Sequence, residues 1–433
     1  MLKRIVAPIV AGIFFLATPN FATAQENFLS STPPEGVPWS ITDDERRPTN
    51  SPPQSEPPEG VPRSIDPNEP PRTYEPSETP PQPVEPLEPS KPVTPPQPFE
   101  PPQDEVEGLE FLMYNQNGVM AFAVIADHEK YQLRPVLAHG KVPGRATVLQ
   151  MNSPDAIATI NASYFGKSGV LYGNTKIDGV TAGTTYYIRS AMGIFADGST
   201  IFARQIYRGS LIFNGNEVVV NGVNCERETD SVVVYNGWYG ASTGTNKFGV
   251  ELVVRDGTVE NISRDEGNSF IPPDGFVVSA NGAAAKNFDA VQVGDRFKFE
   301  EDYINVEYTG DFNEAIHIVG AGPTLVKGGK IYVTADAEQF PPDIRVGRAP
   351  RSAVGITQYG DYILAVVDGR QSHSKGCTLT EWARILRDNF GAVEAINLDG
   401  GGSTELVFKG SLVNSPSDGH ERPVGDALTI VRR

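Results

Sequence analysis

A long proline-rich stretch divides this chain and limits which part of it can fold. Residues 25–107 hold 24 of the 37 prolines, and a short unit recurs there as PPEGVPWSI (33–41) and PPEGVPRSI (57–65). Proline fixes φ and removes a backbone donor, so a stretch of this composition cannot build a packed core. We expect residues 25–107 to form a disordered, acidic, extended spacer, with a protein-docking tract as the alternative.

The first 24 residues are typical of a secretory signal. Lys3 and Arg4 precede an apolar run at 5–17, and a small-x-small step at 22–24 follows it. The run is shorter than the ~20 residues of a membrane-spanning helix, although a retained anchor is the alternative. We therefore expect cleavage after Ala24, no membrane span in the mature protein, and a location that is secreted, periplasmic or in the cell envelope.

The charge of the chain argues against nucleic acid as a partner. Seventeen acidic and five basic residues fall in the spacer and account for most of the net charge of −18. No basic patch that could bind a nucleic acid remains.

Residues 108–433 are long enough for a substantial core and are expected to form one folded domain. They hold the two cysteines, Cys225 and Cys377, for which a disulfide and two free thiols both stay open.

The segment 108–433 has the pattern of a β-rich protein with one clear helix. Short β-branched runs separated by Gly, Asp and Asn, such as SVVVYNG and GVELVVRDG, predict strands. The segment TLTEWARILRDNFG (378–391) instead has apolar residues at helical spacing, a capping box at Thr378 and Glu381, and a glycine stop. The predicted fold class is α+β, a β-rich mixed-sheet core with a C-terminal βαβ unit after the disordered spacer.

Two aspartates end the strands on either side of this helix. YILAVV (362–367) stops at Asp368-Gly369, and VEAINL (393–398) stops at Asp399-Gly400. If the two strands are parallel neighbours, both carboxylates emerge at one edge of the sheet, where open α/β sheets bind ligands. Three consecutive glycines after Asp399 exceed the need of a plain turn, which suggests close approach of the backbone to a ligand.

Several motifs in this order resemble the phosphodiester glycosidase family across roughly residues 108–433. They are INASYF (160–165), RSAMGI (189–194), GAGPTLVKGG (320–329), RAPRSAVGI (348–356), VVDGRQSHSKGCTLTE (366–381), AINLDGGGSTELVFKG (395–410) and NSPSDGHERPVGDALTIV (414–431). The resemblance implies a hydrolase that cleaves the glycosidic C1–O bond of sugar 1-phosphodiesters, and the signal-like segment adds the expectation that this enzyme is exported. The expected substrates are N-acetylglucosamine 1-phosphodiesters or phosphate-containing glycans of the envelope or exopolysaccharide.

This chemistry needs a carboxylate and a phosphate clamp. A phosphate leaving group is weakly basic, so activating water or supplying a nucleophile matters more than a general acid. Asp368 and Asp399 are the carboxylate candidates, and arginine suits the clamp because its planar fork matches phosphate oxygens. We predict Arg370 as a catalytic residue with them, and the substrate-binding residues to be Asn161, Arg189, Arg351, Asn397, Gly400, Gly401, Gly402, Ser403, Thr404 and Arg422.

Other readings of these residues remain open. An Asp before Gly often only closes a turn, and a single arginine often only forms an ion pair. The family is not assumed to share His373 and His420, and His373 is a further acid or base candidate. If both aspartates fail, Glu381, Glu405 and Asp418 are the next carboxylates to test.

Two other functions and a metal also stay open. The domain could bind glycans without turnover, or cut P–O bonds as a phosphodiesterase. The sequence requires no cofactor, although Asp368 and Asp399 with phosphate oxygens would suit Ca²⁺ or Mg²⁺.

Overall fold

The computed structural model describes residues 106–433 apart from 186, 308 and 309. The predicted signal and almost all of the predicted spacer lie outside these described residues. No helix within the described part of the chain is long and apolar enough to cross a membrane.

Short strands dominate the structure, as the sequence predicts. The strands are β1 (Leu109–Gln116), β2 (Val119–Ala126), β3 (Tyr131–Leu137), β4 (Ala156–Asn161), β5 (Thr175–Ile177), β6 (Val180–Gly183), β7 (Arg189–Ile194), β8 (Thr200–Phe213), β9 (Asn216–Val220), β10 (Gly222–Val223), β11 (Val232–Asn236), β12 (Val250–Arg255), β13 (Thr258–Arg264), β14 (Gly275–Ala280), β15 (Lys298–Asn305), β16 (His317–Gly320), β17 (Thr324–Lys327), β18 (Lys330–Ile331), β19 (Arg351–Thr357), β20 (Tyr362–Val367), β21 (Ala392–Asn397), β22 (Leu406–Phe408), β23 (Ser411–Leu412) and β24 (Asp426–Arg432).

Within the described residues, helical structure is limited to short elements. The α-helices are α1 (Val148–Met151), α2 (Pro342–Val346) and α3 (Leu379–Phe390), and single 3₁₀ turns span Ala138–Gly140, Ala284–Phe288 and Gly401–Ser403. The predicted α+β class with a β-rich core is therefore confirmed.

The strands form four sheets. Sheet I has the order β1-β2-β20-β19-β21-β17-β18, and sheet II has the order β10-β11-β14-β12-β13. Sheet III runs β15-β8-β7-β16-β5-β6 with β9 beside β8, and sheet IV runs β23-β22-β4-β24-β3. Most neighbours are antiparallel; β10 and β11 pair in parallel.

Two large apolar cores and two smaller apolar clusters hold these sheets together. The first combines sheet I, helix α3 and sheet IV, and it includes the fully buried Val124, Ile160, Leu364, Trp382 and Ile430. The second combines sheets II and III around side chains that include Leu211, Val234, Leu252, Phe288 and Ile318. Cys225 and Cys377 are both free thiols, so the disulfide that the sequence left open is not formed.

Helix α3 has the ends that the sequence predicts. The Thr378 side chain accepts a hydrogen bond from the Glu381 N–H, and the Glu381 carboxylate accepts one from the Thr378 N–H. Gly391 ends the helix in a left-handed conformation at φ 75°. This reciprocal cap satisfies backbone donors that the first helical turn otherwise leaves unpaired.

The strands on either side of α3 run in the same direction but are not neighbours, so that part of the prediction is wrong. Strand β19 lies between β20 and β21 and pairs antiparallel with both. The reason is local: β19 and β20 form a hairpin across a short connection, and β2 occupies the other edge of β20. Because both outer strands run opposite to β19, their carboxyl ends still meet at one edge of sheet I.

Candidate active site

The two Asp-Gly turns flank the backbone of Pro350 at this edge. A Cβ atom on Gly369 would lie 2.6 Å from the Pro350 nitrogen, and one on Gly400 would lie 2.9 Å from the Pro350 oxygen. Each turn therefore needs glycine to pass this close to the chain that enters β19. With one strand between them, the backbones of Asp368 and Asp399 stand about 10 Å apart, two strand spacings.

Asp399 is fully buried, and only one of its two carboxylate oxygens has a hydrogen-bond partner. Its Oδ1 accepts a hydrogen bond from the Gly400 N–H at 2.8 Å. Its Oδ2 has no hydrogen-bond partner within the described residues. The backbone is held on both sides, because the Asp399 N–H donates to the Ala162 carbonyl and the Asn161 amide donates to the Asp399 carbonyl at 2.6 Å.

This environment changes the acidity of Asp399. Burial raises the pKa of its carboxyl from 3.8 to about 7. The Ser403 hydroxyl, which is nearby but outside hydrogen-bond geometry, Arg422 and the Gly400 N–H act in the opposite direction. A carboxyl with this pKa can exist in both protonation states near neutral pH, which suits a group that exchanges protons during a reaction.

Asp368 is also buried but has partners for both oxygens. Its Oδ2 lies 3.0 Å from His373 Nε2, and its Oδ1 accepts from the Ser415 N–H at 2.9 Å and from the Asn414 amide at 3.3 Å. Burial raises the pKa of Asp368, and His373 opposes this. The Asn414 amide also donates to the Thr404 carbonyl, so one side chain links the Asp368 turn to the turn after Asp399.

Tyr164 is a phenol on which Asp399 and three of the predicted binding residues act electrostatically. Burial raises the pKa of its phenol, Asp399 adds to this, and Arg351, Asn397 and Arg189 act in the opposite direction. The Asn397 amide donates to the Tyr164 hydroxyl at 3.1 Å. These groups therefore lie within electrostatic range of one phenol.

Arg189 and Arg351 are both held in place by the protein. The Arg189 guanidinium lies 3.9 Å from the centre of the Phe340 ring and donates to the Glu338 carbonyl. Arg351 donates through Nε and Nη2 to the carbonyls of Cys377, Ile344 and Gly347.

Arg370 lies within electrostatic range of Arg351 and has an unusual backbone conformation. Burial lowers the pKa of Arg351, and the positive charge of Arg370 lowers it further. Arg370 itself is exposed and has a left-handed backbone at φ 59°. Two neighbouring guanidinium groups repel each other, and an anion between them would relieve that repulsion.

Asn161 is committed to contacts within the protein. Besides the Asp399 carbonyl, it accepts hydrogen bonds from the Ser352 hydroxyl at 2.7 Å and the Glu405 N–H at 3.2 Å. Its side chain therefore ties β4 to β19 and to the turn after β21.

Each glycine of the triple has a local structural reason. Gly400 passes Pro350, and Gly401 has φ 63° and donates its N–H to the Pro350 carbonyl. A Cβ on Gly402 would lie 2.1 Å from Arg422 Nη2 and 2.3 Å from Asp418 Oδ2. The close approach that the sequence suggested is thus filled by the Arg422–Asp418 ion pair in this structure.

The remaining predicted residues have these positions. Ser403 and Thr404 are buried beside Asp399 in the same turn. His420 is exposed, and its Nδ1 lies 3.1 Å from the Asp418 carbonyl. Glu381 caps α3 and pairs with Arg348.

Unpaired buried oxygens are concentrated around the second Asp-Gly turn. Among the described residues, six buried side-chain oxygens between 397 and 417 have no hydrogen-bond partner: Asn397 Oδ1, Asp399 Oδ2, Ser403 Oγ, Thr404 Oγ1, Glu405 Oε2 and Ser417 Oγ. Leaving a buried polar group unpaired costs about 1–3 kcal/mol. Such a concentration is typical of a site that binds a polar ligand.

The sequence reasoning missed Tyr164 and Asp426 and ranked Glu405 too low to include it in the site. Asp426 is buried, accepts from the Ser163 N–H and hydroxyl at 2.8 Å each, and burial raises its pKa to about 6. Burial raises the pKa of Glu405 to about 8. All three residues lie in motifs that the sequence singles out, but a lone tyrosine or acid at a strand end carries no periodic signal.

Comparison with known proteins gives one family. A model of the phosphodiester glycosidase family matches residues 248–431. The N-acetylglucosamine-1-phosphodiester alpha-N-acetylglucosaminidase of Mus musculus is 35% identical over 116 residues, which are 24% of this chain and 22% of that protein. The uncharacterized protein YomE of the Bacillus subtilis (strain 168) prophage SPbeta is 40% identical over 81 residues, 19% of this chain and 12% of YomE.

A solved structure extends the similarity of fold. The crystal structure of a hypothetical protein from Synechocystis matches with a TM-score of 0.66 at 24% identity, covering 75% of this chain and 62% of that one. At this identity the match shows the fold alone. The sequence matches span less than a quarter of the relatives named above. The family model covers five of the seven motifs named in the sequence analysis. The resemblance of this chain to the phosphodiester glycosidase family is therefore confirmed.

Proposed function

We propose that this protein is an exported hydrolase that cleaves the glycosidic C1–O bond of sugar 1-phosphodiesters. The observation that carries the proposal is Asp399, a fully buried carboxyl with an unpaired oxygen and a pKa of about 7. Its burial and raised pKa are typical of carboxyls that act in catalysis. The family resemblance supports the class of bond.

Asp399 is the nucleophile or general base of the proposed reaction. The bond between the anomeric carbon and the phosphate oxygen breaks, the phosphate monoester departs with the electron pair, and water supplies the new hydroxyl at C1. An ionised carboxylate either attacks C1 or removes a proton from that water. Because the phosphate is a good leaving group, the reaction needs little protonation of the departing oxygen.

The arginines bind the phosphate in this proposal. Arg351 and Arg370 lie close enough for the charge of one to lower the pKa of the other. Within the described residues, the hydrogen bonds of Arg351 use Nε and Nη2, which leaves Nη1 to donate to a phosphate oxygen in this proposal. Arg189, fixed against Phe340, supplies a third positive charge near Tyr164.

Substrate access requires movement, because Asp399 is fully buried. The segment 414–422 covers this region: Ser415 binds Asp368, and Arg422 and Asp418 pack on Gly402. We propose that this segment moves away when substrate binds.

The proposed reaction uses no cofactor. A single divalent ion between Asp368 and Asp399 fits poorly, since both oxygens of Asp368 already accept hydrogen bonds from the protein. One group of three potential metal ligands, Asp127, His128 and Asp361, lies at the opposite end of β20. Activity that survives dialysis against EDTA would agree with the proposal.

Export and attachment to an envelope glycan are part of the proposal. The signal-like residues 1–24 support export, and the proline-rich residues 25–107 suit a tether that holds the folded part at a distance from a surface.

A panel of sugar 1-phosphodiesters tests the function. We expect turnover by the wild-type protein and at least a ~100-fold loss of kcat in Asp399→Asn and in Asp368→Asn, the usual size of a lost general base. Circular dichroism should show that both variants fold. Asp155→Asn, at an exposed aspartate, is the matched control and should keep full activity. Binding of the phosphodiesters without any turnover would instead favour a glycan-binding module.

A further inference from the structure

Gln205 is a buried amide without a partner. The residue lies in the long strand β8 and is 0% exposed. Neither its Nε2 nor its Oε1 has a hydrogen-bond partner within the described residues. Its neighbours two positions away on the same strand face, Ala203 and Tyr207, belong to the second apolar core.

The register of sheet III places Gln205 beside a predicted substrate-binding arginine. Gln205 lies directly opposite Arg189 of β7 on one side and opposite Asn305 of β15 on the other. Directly opposed residues of antiparallel strands project from the same face, with Cβ atoms about 5 Å apart. Gln205 is therefore the cross-strand neighbour of Arg189 on this face of sheet III.

The cross-strand neighbours of Gln205 make hydrogen bonds and a ring contact with other residues of the protein. Asn305 donates to the Gly310 carbonyl and accepts from the Glu307 N–H. Arg189 contacts Phe340 and Glu338. An apolar side chain of the same shape would avoid the cost of burying unpaired polar groups. The fold alone thus gives no reason for an amide at position 205.

The geometry points to Gln205 as a specificity-determining residue that binds a hydroxyl or acetamido group of the sugar next to the phosphate held by Arg189. This inference rests on the proposed function. An amide offers one donor and one acceptor side by side, and both sugar groups also donate and accept. A site that hydrogen-bonds such a group rejects analogues that lack it, because its buried polar atoms are then left unpaired.

Binding without turnover tests this inference. We would measure by calorimetry the affinity for inorganic phosphate and for C-glycoside methylphosphonates of glucose and of N-acetylglucosamine. In these probes a methylene group replaces the anomeric oxygen, so no C–O bond can be hydrolysed there. Wild type would be compared with Gln205→Met, which keeps length but removes both polar atoms, and with Gln132→Met at an exposed strand position.

We expect Gln205→Met to weaken sugar binding without lowering the thermal stability of the protein. Gln205→Met should weaken binding of at least one sugar phosphonate 10-fold or more and change phosphate binding less than 3-fold. The sugar that loses more affinity identifies the group bound. The thermal midpoint should stay or rise, because an unpaired buried amide has been removed. Gln132→Met should change neither quantity.

Two results would overturn the inference. Unchanged affinity for both sugars would show that Gln205 does not contact the ligand, and a lower thermal midpoint or an unfolded variant would show that its polar atoms stabilise the fold. If wild type bound none of the probes, the proposed function itself would fail.

Discussion

At the scale of single residues, the site is defined by polar groups that the fold buries without satisfying. Asp399 Oδ2, Ser403 Oγ and Thr404 Oγ1 lie in one turn and have no partner among the described residues. Asp368, by contrast, has three hydrogen-bond donors around it. The two aspartates are therefore not equivalent: Asp399 is poised to meet a ligand, and Asp368 is held in a network with His373 and Asn414.

Replacing Asp399 by Asn should stabilise the protein more at pH 8 than at pH 4. Its folded pKa of about 7 lies above the unfolded value near 3.8. Between these values the folded state holds a proton that the unfolded state releases, so the wild-type free energy of unfolding falls as pH rises. The decrease in the wild-type free energy of unfolding reaches at most about 4 kcal/mol above pH 7. Because Asn does not titrate, the Asp399→Asn variant does not show this decrease.

Urea unfolding at pH 4, 6 and 8 measures this effect. The difference in unfolding free energy between Asp399→Asn and wild type should grow across the series, and Asp155→Asn should show no such trend. A difference that is the same at all three pH values would contradict the raised pKa of Asp399.

Replacing Arg370 by Ala should weaken binding of the phosphodiester in particular. The guanidinium lies near Arg351, and a phosphate between the two would offset their repulsion. The value of kcat/KM should fall at least 10-fold for a sugar 1-phosphodiester and much less for a glycoside with a neutral, activated leaving group. Arg387→Ala, at a partly exposed residue of α3 that pairs with Asp388, is the control. An equal decrease in kcat/KM for both substrates would show that Arg370 does not bind the phosphate.

At the scale of secondary-structure elements, the edge of sheet I depends on close backbone contacts. The turns after β20 and β21 pass on either side of Pro350, the residue before β19. This contact fixes both aspartates relative to β19, although one strand separates them. The glycines after the aspartates are therefore part of how the site is positioned.

Adding one methyl group to either turn should disturb this arrangement. Gly369→Ala and Gly400→Ala would place Cβ 2.6 and 2.9 Å from Pro350 atoms. Overpacking of this kind costs roughly 1–3 kcal/mol. Gly237→Ala, where a Cβ would meet nothing within 4 Å, is the control and should cost little. Denaturation midpoints that match the control would show that the turns tolerate a side chain.

At the scale of the whole molecule, the sequence predicted elements better than their arrangement. The capping box and apolar spacing located helix α3, because those signals are local. The insertion of β19 between β20 and β21 was missed, because the choice of neighbour depends on hairpin formation and on β2, which lies far away in sequence. Tyr164 and Gln205 were missed for the same reason, since burial and unpaired atoms become visible only after the sheets are assembled.

The folded part should function without the proline-rich segment. A protein that begins at Val106 keeps the contacts of Glu107 with Lys130 and Tyr131 and both apolar cores. Its kcat on a soluble phosphodiester and its thermal midpoint should equal those of the full chain. A large loss of either would show that residues before 106 complete the domain.

Hydrolysis in ¹⁸O-labelled water shows whether the C–O or the P–O bond of the substrate is cut. If Asp399 acts at the anomeric carbon, water attacks C1 either in the substrate or in the ester that C1 forms with Asp399, and in both cases the label appears in the sugar hydroxyl. Mass spectrometry of the two products then shows unlabelled phosphate and labelled sugar. Label in the phosphate would mean that the P–O bond is cut, and the account of Asp399 as the group acting at C1 would be contradicted.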